Sequence, residues 1–183
     1  MGWIRALTAG EAALAREAFG TALRLDRVRL IAWPFRRAFV AGRWFGRDWI
    51  VWPSRSLAED FATGTERLQG VLVHELTHVW QAQQGVNLLF AKLRAGDSAA
   101  SYAYETDAEC RWDGLNIEQQ AMVMEHRFHL ARGRPAPGDV NFYDAVCPFG
   151  ALKRDTRACA DRQDPPRWQR MLLQMTARTH GAS

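Results

Sequence analysis

The chain has 183 residues, of which 48% are hydrophobic, and a formal net charge of +4. This length fits one compact domain, or one domain with a short appendage, and makes a second full domain unlikely. No window offers the roughly 18 uncharged apolar residues of a membrane span, and the N-terminus lacks an apolar signal-peptide core, so a cytoplasmic location without a cleaved signal is expected. The arginines are spread along the chain and no nucleic-acid-binding motif occurs, which argues against a nucleic-acid partner.

The three cysteines, Cys110, Cys147 and Cys159, match no zinc-finger spacing. A reducing compartment is the default interpretation. A disulfide between Cys147 and Cys159 stays open for the case in which the protein is exported.

The first elements are a helix and a group of strands. Thr8 and Glu11 form a capping box for a helix of about ten residues that ends at Gly20. Residues 28–53 contain short apolar or alternating runs separated by glycine and proline. This pattern predicts two or three strands in a small antiparallel sheet.

The next element is a strongly apolar helix. Thr63 and Glu66 form a second capping box, and the pattern predicts a helix over about residues 64–84. Its apolar residues leave little polar surface, so the helix is expected to be central and buried.

Two further helices are predicted downstream, one from Ser98 and one that Asn116 caps and Gly133 ends. The residues after Gly133 are rich in proline, which predicts an irregular extension with one short helix around 168–176. The predicted fold class is therefore α+β, with a domain over residues 1–132 and an extension over 133–183 that packs on or flanks it.

The apolar helix carries the sequence HELTH, an HExxH motif with His74, Glu75 and His78. Residues four apart share one face of a helix, so both imidazoles can reach a single Zn²⁺. Glu75 then lies beside the metal's water, where it can act as a general base. The alternative is that both histidines are buried polar residues bonded to the backbone, which an apolar helix makes costly. The motif favours a zinc peptidase.

A hydrolytic zinc site needs a third protein ligand. The metzincin pattern fails because Gln81 and Gln84 occupy its glycine and third-histidine positions. Glu105 and Glu118 each precede an alanine by three residues, which permits close helix packing, so the pattern leaves both open. We favour Glu118 because it follows the Asn116 cap on the longer helix.

Other side chains are candidates for stabilising the transition state. Tyr102 and Tyr104 are candidates to donate a hydrogen bond to the oxyanion, with core packing the alternative for at least one of them. His126 and His129 lie too far along their helix from Glu118 to share its metal. His126 is a weaker candidate for the transition state.

The segments HELTHVWQ, SYAYE and LNIEQQA together resemble a bacterial family of Vgr-related zinc metallopeptidases, akin to the DUF4157 proteins near contractile secretion systems. The resemblance covers about residues 7–132. It implies a zincin-like minimal gluzincin in which His74, His78 and Glu118 bind zinc and Glu75 is the general base. It also implies a peptide or protein substrate, association with a type VI secretion system, and export without a cleaved signal.

A different class of function is a non-catalytic adaptor or structural component of a secretion particle, stabilised by zinc. Closed structural zinc sites usually have four protein ligands and are rich in cysteine. No cysteine lies near the HELTH segment in the sequence. The sequence therefore favours the peptidase over the adaptor.

Overall fold

The computed structural model of the protein describes residues 4–96 and 98–151. Its strands are β1 (Ile4–Ala6), β2 (Val28–Trp33), β3 (Phe39–Trp44) and β4 (Arg47–Pro53). Its α-helices are α1 (Ala9–Phe19), α2 (Glu66–Gln83), α3 (Leu88–Ala95), α4 (Ala99–Tyr102), α5 (Ile117–Ala131) and α6 (Val140–Val146). The described part of the chain is thus α+β, and none of its helices is long and apolar enough to cross a membrane.

The capping box predicted for α1 is confirmed. The Thr8 hydroxyl accepts a hydrogen bond from the Glu11 backbone N–H, and the Glu11 carboxylate accepts one from the Thr8 N–H at 2.8 Å. The helix ends at Gly20, whose φ of 57° lies in the region that favours glycine.

The sheet has the strand order β1-β2-β4-β3. The strands predicted in residues 28–53 are present. The prediction of an antiparallel sheet is confirmed for β3 with β4 and is wrong for β2 with β4, which run parallel, so the sheet is mixed. β4 is the most buried strand, with Ile50, Val51 and Trp52 all buried, and a strand of this kind belongs in the centre of a sheet. Along the chain, β3 comes between β2 and β4 and takes the edge position. β4 pairs antiparallel with β3 and therefore runs in the same direction as β2.

One face of the sheet packs on α1 and α2 to form the main core. The strands contribute Val28, Leu30, Ile50 and Trp52. Helices α1 and α2 contribute Leu14, Ala18, Phe19, Leu72, Val73, Leu76 and Val79. The burial of α2 against this sheet leaves its other side for α5.

The start of α2 differs from the prediction. The N-cap is Thr65, which accepts from the Leu68 N–H, and not Thr63. Thr63 lies in a short 3₁₀ turn that Asp60 caps, and the extended backbone of Gly64 separates this turn from the helix. The predicted capping box of Thr63 with Glu66 is therefore wrong, because its threonine belongs to the preceding turn.

The helix predicted from Ser98 ends after four residues, at Tyr102. Side chains from the start of α5 bond the carbonyls at its end: Asn116 donates to Ser101 O, and Gln119 donates to Ala103 O. The carbonyls of Ser101 and Ala103 therefore accept hydrogen bonds from side chains and not from the backbone of a longer helix. The Asn116 cap of α5 is confirmed, since its side chain accepts from the N–H groups of Glu118 and Gln119.

Helices α3 and α6 were not predicted from the sequence. Asp139 caps α6 by accepting from the Phe142 N–H, and Tyr143 and Val146 of this helix pack with Val123 of α5. Residues 140–146 are therefore helical within the stretch predicted to be irregular, while the predicted domain boundary stays a prediction. The helix predicted around 168–176 and the pairing of Cys159 lie outside the described residues.

A buried carboxylate joins three parts of the fold. Glu11 has 0% exposure and accepts two hydrogen bonds from Arg5 in β1, both at 2.7 Å. It also accepts from the N–H of Phe61, just before α2, at 3.0 Å. A buried charge needs this number of partners to offset the loss of water.

We expect Glu11→Gln to lower the free energy of unfolding by about 3 kcal/mol, because the amide NH₂ would face the Arg5 donors inside the protein. Urea unfolding at a fixed zinc concentration measures the change. Glu17→Gln on the same helix is the control, since its side chain is 32% exposed and pairs with Arg132 at the surface. The control should cost about 0.5 kcal/mol or less, and equal losses in the two variants would contradict the role given to Glu11.

Candidate metal centre

The structure brings His74 and His78 of α2 together with Glu118 of α5. Glu118 Oε2 lies 3.5 Å from His74 Nε2 and 3.4 Å from His78 Nε2. Ligand atoms of the three residues all lie within 4.8 Å of one another. Atoms bound to one tetrahedral zinc at its usual bond lengths lie about 3.3 Å apart. The donor set and its spacing therefore fit zinc.

Local structure and helix packing each place part of this group. His74 and His78 lie one turn apart on α2, and Glu118 lies in the first turn of α5, where the Asn116 cap fixes the start of the helix. Gly70 permits the close approach of α5, because a Cβ atom at this position would collide with the imidazole of His129. The packing of α5 on α2 brings the carboxylate to the histidines.

Each histidine is oriented by a hydrogen bond from its other ring nitrogen. His74 Nδ1 donates to Glu125 Oε2 at 3.1 Å, and His78 Nδ1 donates to Gln81 Oε1 at 2.8 Å. Gln81 is held in turn by bonds from its NH₂ group to Ile117 O and the Gln120 side chain. Outer contacts of this kind fix the orientation of metal-binding histidines and leave Nε2 for the ion.

The carboxylate of Glu118 is also held at one oxygen. Lys92 of α3 donates to Glu118 Oε1 at 2.8 Å, and Oε2 points to the two histidines. Burial acts to raise the pKa of Glu118, but hydrogen bonds with His74, His78 and Lys92 hold it well below its usual range. Glu118 is thus ionised and offers one oxygen to a cation.

The surroundings of His74 favour positive charge. Burial acts to lower its pKa, but hydrogen bonds with Glu118 and Glu125 and the charge of Glu75 raise it to about 9. Burial likewise acts to raise the pKa of Glu125, and hydrogen bonds with His129 and His74 lower it to about 2. The carboxylates around the histidines therefore create a site that stabilises a cation.

Glu75 lies beside this group with its side chain buried, at 5% exposure. Burial raises the pKa of its carboxyl, while the charges of His78 and His74 lower it. Within residues 4–96 and 98–151, Glu75 Oε2 has no hydrogen-bond partner. A buried oxygen without a partner is costly, so this atom is suited to bond a water or a substrate group.

The other predicted site residues lie outside the group of His74, His78 and Glu118. Glu105 is exposed and follows the end of α4. Tyr102 is partly buried at the last residue of α4, and its role stays a prediction.

Tyr104 belongs to a second polar group between α5 and α6. Its hydroxyl lies 2.6 Å from His126 Nδ1 and 2.9 Å from the Tyr143 hydroxyl. Burial raises the pKa of Tyr104 and lowers that of His126. The hydroxyl thus has protein partners, and the oxyanion role of Tyr104 and the role of His126 stay predictions.

Three orienting residues were not identified from the sequence. Gln81 follows His78 by three residues and Glu125 follows Glu118 by seven, so each lies on the same helix face as the ligand it follows. This spacing is the signal in the sequence by which both residues could be found. Lys92 carried no comparable signal, because α3 was not predicted.

The molecule is an α+β domain with a two-histidine, one-glutamate candidate metal site between two packed helices. No family model matches the chain. The chain is 31% identical over 136 residues to the type VI secretion system spike protein VgrG2b of Pseudomonas aeruginosa. This match covers 68% of the chain but only 13% of the length of VgrG2b.

The solved structure of the effector domain of Pseudomonas aeruginosa VgrG2b is also similar, with a TM-score of 0.58 and 30% identity. The match covers 70% of this chain and 75% of that domain. This chain therefore belongs to the family of the VgrG2b effector domain. The Vgr-related part of the resemblance is confirmed, whereas the DUF4157 and gluzincin parts stay predictions.

We expect Glu118→Ala to lose bound zinc and Glu105→Ala to keep it, because only the first removes a donor that faces both histidines. Elemental analysis of the purified variants measures the zinc content. His78→Ala is the positive control and should also lose the metal. The reverse order for the two glutamate variants would transfer the ligand role to Glu105.

Gln81→Leu should weaken zinc binding by about 10- to 100-fold, because His78 would lose the bond that orients its ring. Competition with a chromophoric chelator measures the affinity. Gln83→Leu is the matched control on the same helix, since Gln83 bonds Arg24 and Asp48 away from the site. Equal affinities for the Gln81 variant and the control would show that this bond does not support the site.

Proposed function

We propose that this chain is a zinc metallopeptidase with a zincin-like fold that serves as an effector domain of a type VI secretion system. The observation that carries the peptidase part is the meeting of His74, His78 and Glu118 beside the unpartnered carboxylate oxygen of Glu75. Membership in the family of the VgrG2b effector domain supports the secretion part. The proposed substrate is a peptide or protein.

When bound, zinc would supply a Lewis acid that polarises a scissile carbonyl and brings the pKa of a water towards neutrality. His74, His78 and Glu118 would hold it through two nitrogens and one oxygen. Glu125, Gln81 and Lys92 keep those three donors in place. These contacts fix the positions of the three donors.

Glu75 performs the proton transfers in this mechanism. Its Oε2 accepts a proton from the attacking water, and the same oxygen then delivers the proton to the leaving amine nitrogen. The amine departs neutral and the carboxylate is restored. Burial around Glu75 strengthens its hydrogen bond to the water, because bulk solvent does not compete for the oxygen.

The number of ligands favours this function over the zinc-stabilised adaptor. Among the described residues, three metal-binding side chains form the group, and a structural zinc usually has four. A three-ligand arrangement keeps one coordination position for water or substrate. The adaptor also gives no reason for an unpartnered carboxylate beside the ligands.

We expect Glu75→Gln to keep zinc and fold but to lower peptide hydrolysis by about 100- to 10,000-fold, because the amide cannot accept the water's proton. Cleavage of a broad peptide library, read by mass spectrometry, identifies a substrate and then measures the rate. Glu105→Gln is the control, since this glutamate is exposed and outside the group.

Two results would contradict the proposal. A zinc-loaded wild-type protein that cleaves nothing in the library would favour the adaptor. A Glu75→Gln variant as active as Glu105→Gln would show that the carboxylate takes no part in the reaction.

A further inference from the structure

The outer face of the sheet, opposite the main core, carries aromatic and aliphatic side chains together with arginines. Strand alternation places on this face the pairs Ile31 with the buried Val51, Arg29 with Trp49, and Trp44 with Arg47. Three aromatic side chains near this face are well exposed: Trp33 at 47%, Phe39 at 37% and Trp44 at 61%. A sheet face that meets only water normally carries polar residues. The exposed aromatic side chains of this face are therefore suited to contact a surface that is less polar than water.

Three of the aromatic side chains, Trp33, Phe35 and Phe39, form a continuous surface. The Phe35 ring, itself 47% exposed, lies 6.3 Å from the ring of Trp33 and 5.4 Å from that of Phe39. At the far end of β3, the Trp44 indole donates to Ala41 O, which holds the ring against its own strand. The outer surface of the sheet thus presents fixed aromatic rings.

The turn between β3 and β4 carries the most exposed large apolar residue of the described chain. Phe45 is 99% exposed and has a φ of 53°, followed by Gly46 at 71°. Turns with two such residues favour asparagine or glycine, and a bulky side chain is strained at the first position. The Phe45 side chain is not buried, so no hydrophobic contact offsets this strain.

The same segment is strongly cationic. Between Asp26 and Asp48 the sequence has six arginines and no acidic residue. Arg36, Arg37 and Arg47 within it are exposed. Arg43, on the other side of the turn in the sequence RWFGR, pairs with the buried Asp48 carboxylate at 2.9 Å. Charge of a single sign over this length is complementary to a uniformly anionic surface.

We propose that the outer sheet face and the β3–β4 turn dock on an anionic phospholipid bilayer. Trp44 and Phe45 would enter the headgroup region, where aromatic rings are favoured, and Arg36 and Arg47 would bind lipid phosphates. A protein partner would also suit aromatic and arginine residues. The single sign of charge and the protruding, fully exposed Phe45 favour the bilayer. The inference is independent of the peptidase activity.

The test is co-sedimentation of the full chain with vesicles of phosphatidylethanolamine and phosphatidylglycerol in equal amounts. We expect binding to these vesicles, little binding to phosphatidylcholine vesicles, and loss of binding at high salt. Phe45→Asn should weaken binding by about ten-fold, because one aromatic side chain no longer leaves water. Asparagine suits the turn, so this variant should fold at least as well as the wild type, which thermal unfolding checks.

Phe90→Asn is the matched control, since Phe90 is 65% exposed on α3, away from the sheet. It should bind the anionic vesicles as the wild type does. Arg36→Gln combined with Arg47→Gln should reduce the salt dependence of binding and weaken it at low salt.

Several outcomes would overturn the proposal. One is that the wild-type protein does not sediment with the anionic vesicles. Another is that Phe45→Asn and Phe90→Asn weaken vesicle binding equally. A wild-type protein that forms a dimer which Phe45→Asn dissociates, without binding vesicles, would assign the surface to a second copy of the chain. Binding to a protein partner without vesicle binding would likewise reject the bilayer.

Discussion

The packing of α5 against α2 is the contact on which the candidate site depends. Neither helix holds the site alone, because His74 and His78 lie on α2 and Glu118 lies on α5. The sheet supports α2 from its other side, so the helix that carries the histidines is held between two layers. A shift of α5 by a fraction of a turn would take the carboxylate out of range of both imidazoles.

Polar contacts around the site fix its geometry at a cost in desolvation. Glu118 and Gln81 are buried at about 1% exposure, which is unfavourable unless their polar atoms are bonded. Lys92 and the two histidines satisfy Glu118, and His78, Gln120 and the backbone satisfy Gln81. Among the described residues, Glu75 Oε2 has no hydrogen-bond partner, although it lies beside these bonded groups. Glu118 and Gln81 are thus held in place by their hydrogen bonds, whereas Glu75 has an oxygen that can accept a proton.

The two faces of the small sheet have different roles. Its inner face completes the core, and its outer face carries exposed aromatic rings that the core does not use. The central place of β4 follows from its burial, and the edge position of β3 leaves the Phe45 turn projecting into solvent. The site and the outer face therefore lie on different layers of the domain.

The sequence by itself determined the features that depend on neighbours along the chain. The caps at Thr8 and Asn116, the strand segments and the one-turn spacing of His74 and His78 follow from local hydrogen bonds and helix periodicity. Tertiary structure decided that Glu118 and not Glu105 lies beside the histidines, since α4 ends early where α5 side chains bond its carbonyls. It also decided the parallel pairing of β2 and β4 and the contacts of Lys92 and Glu125, because these join residues far apart in the chain, whose meeting depends on how whole elements bury their apolar faces.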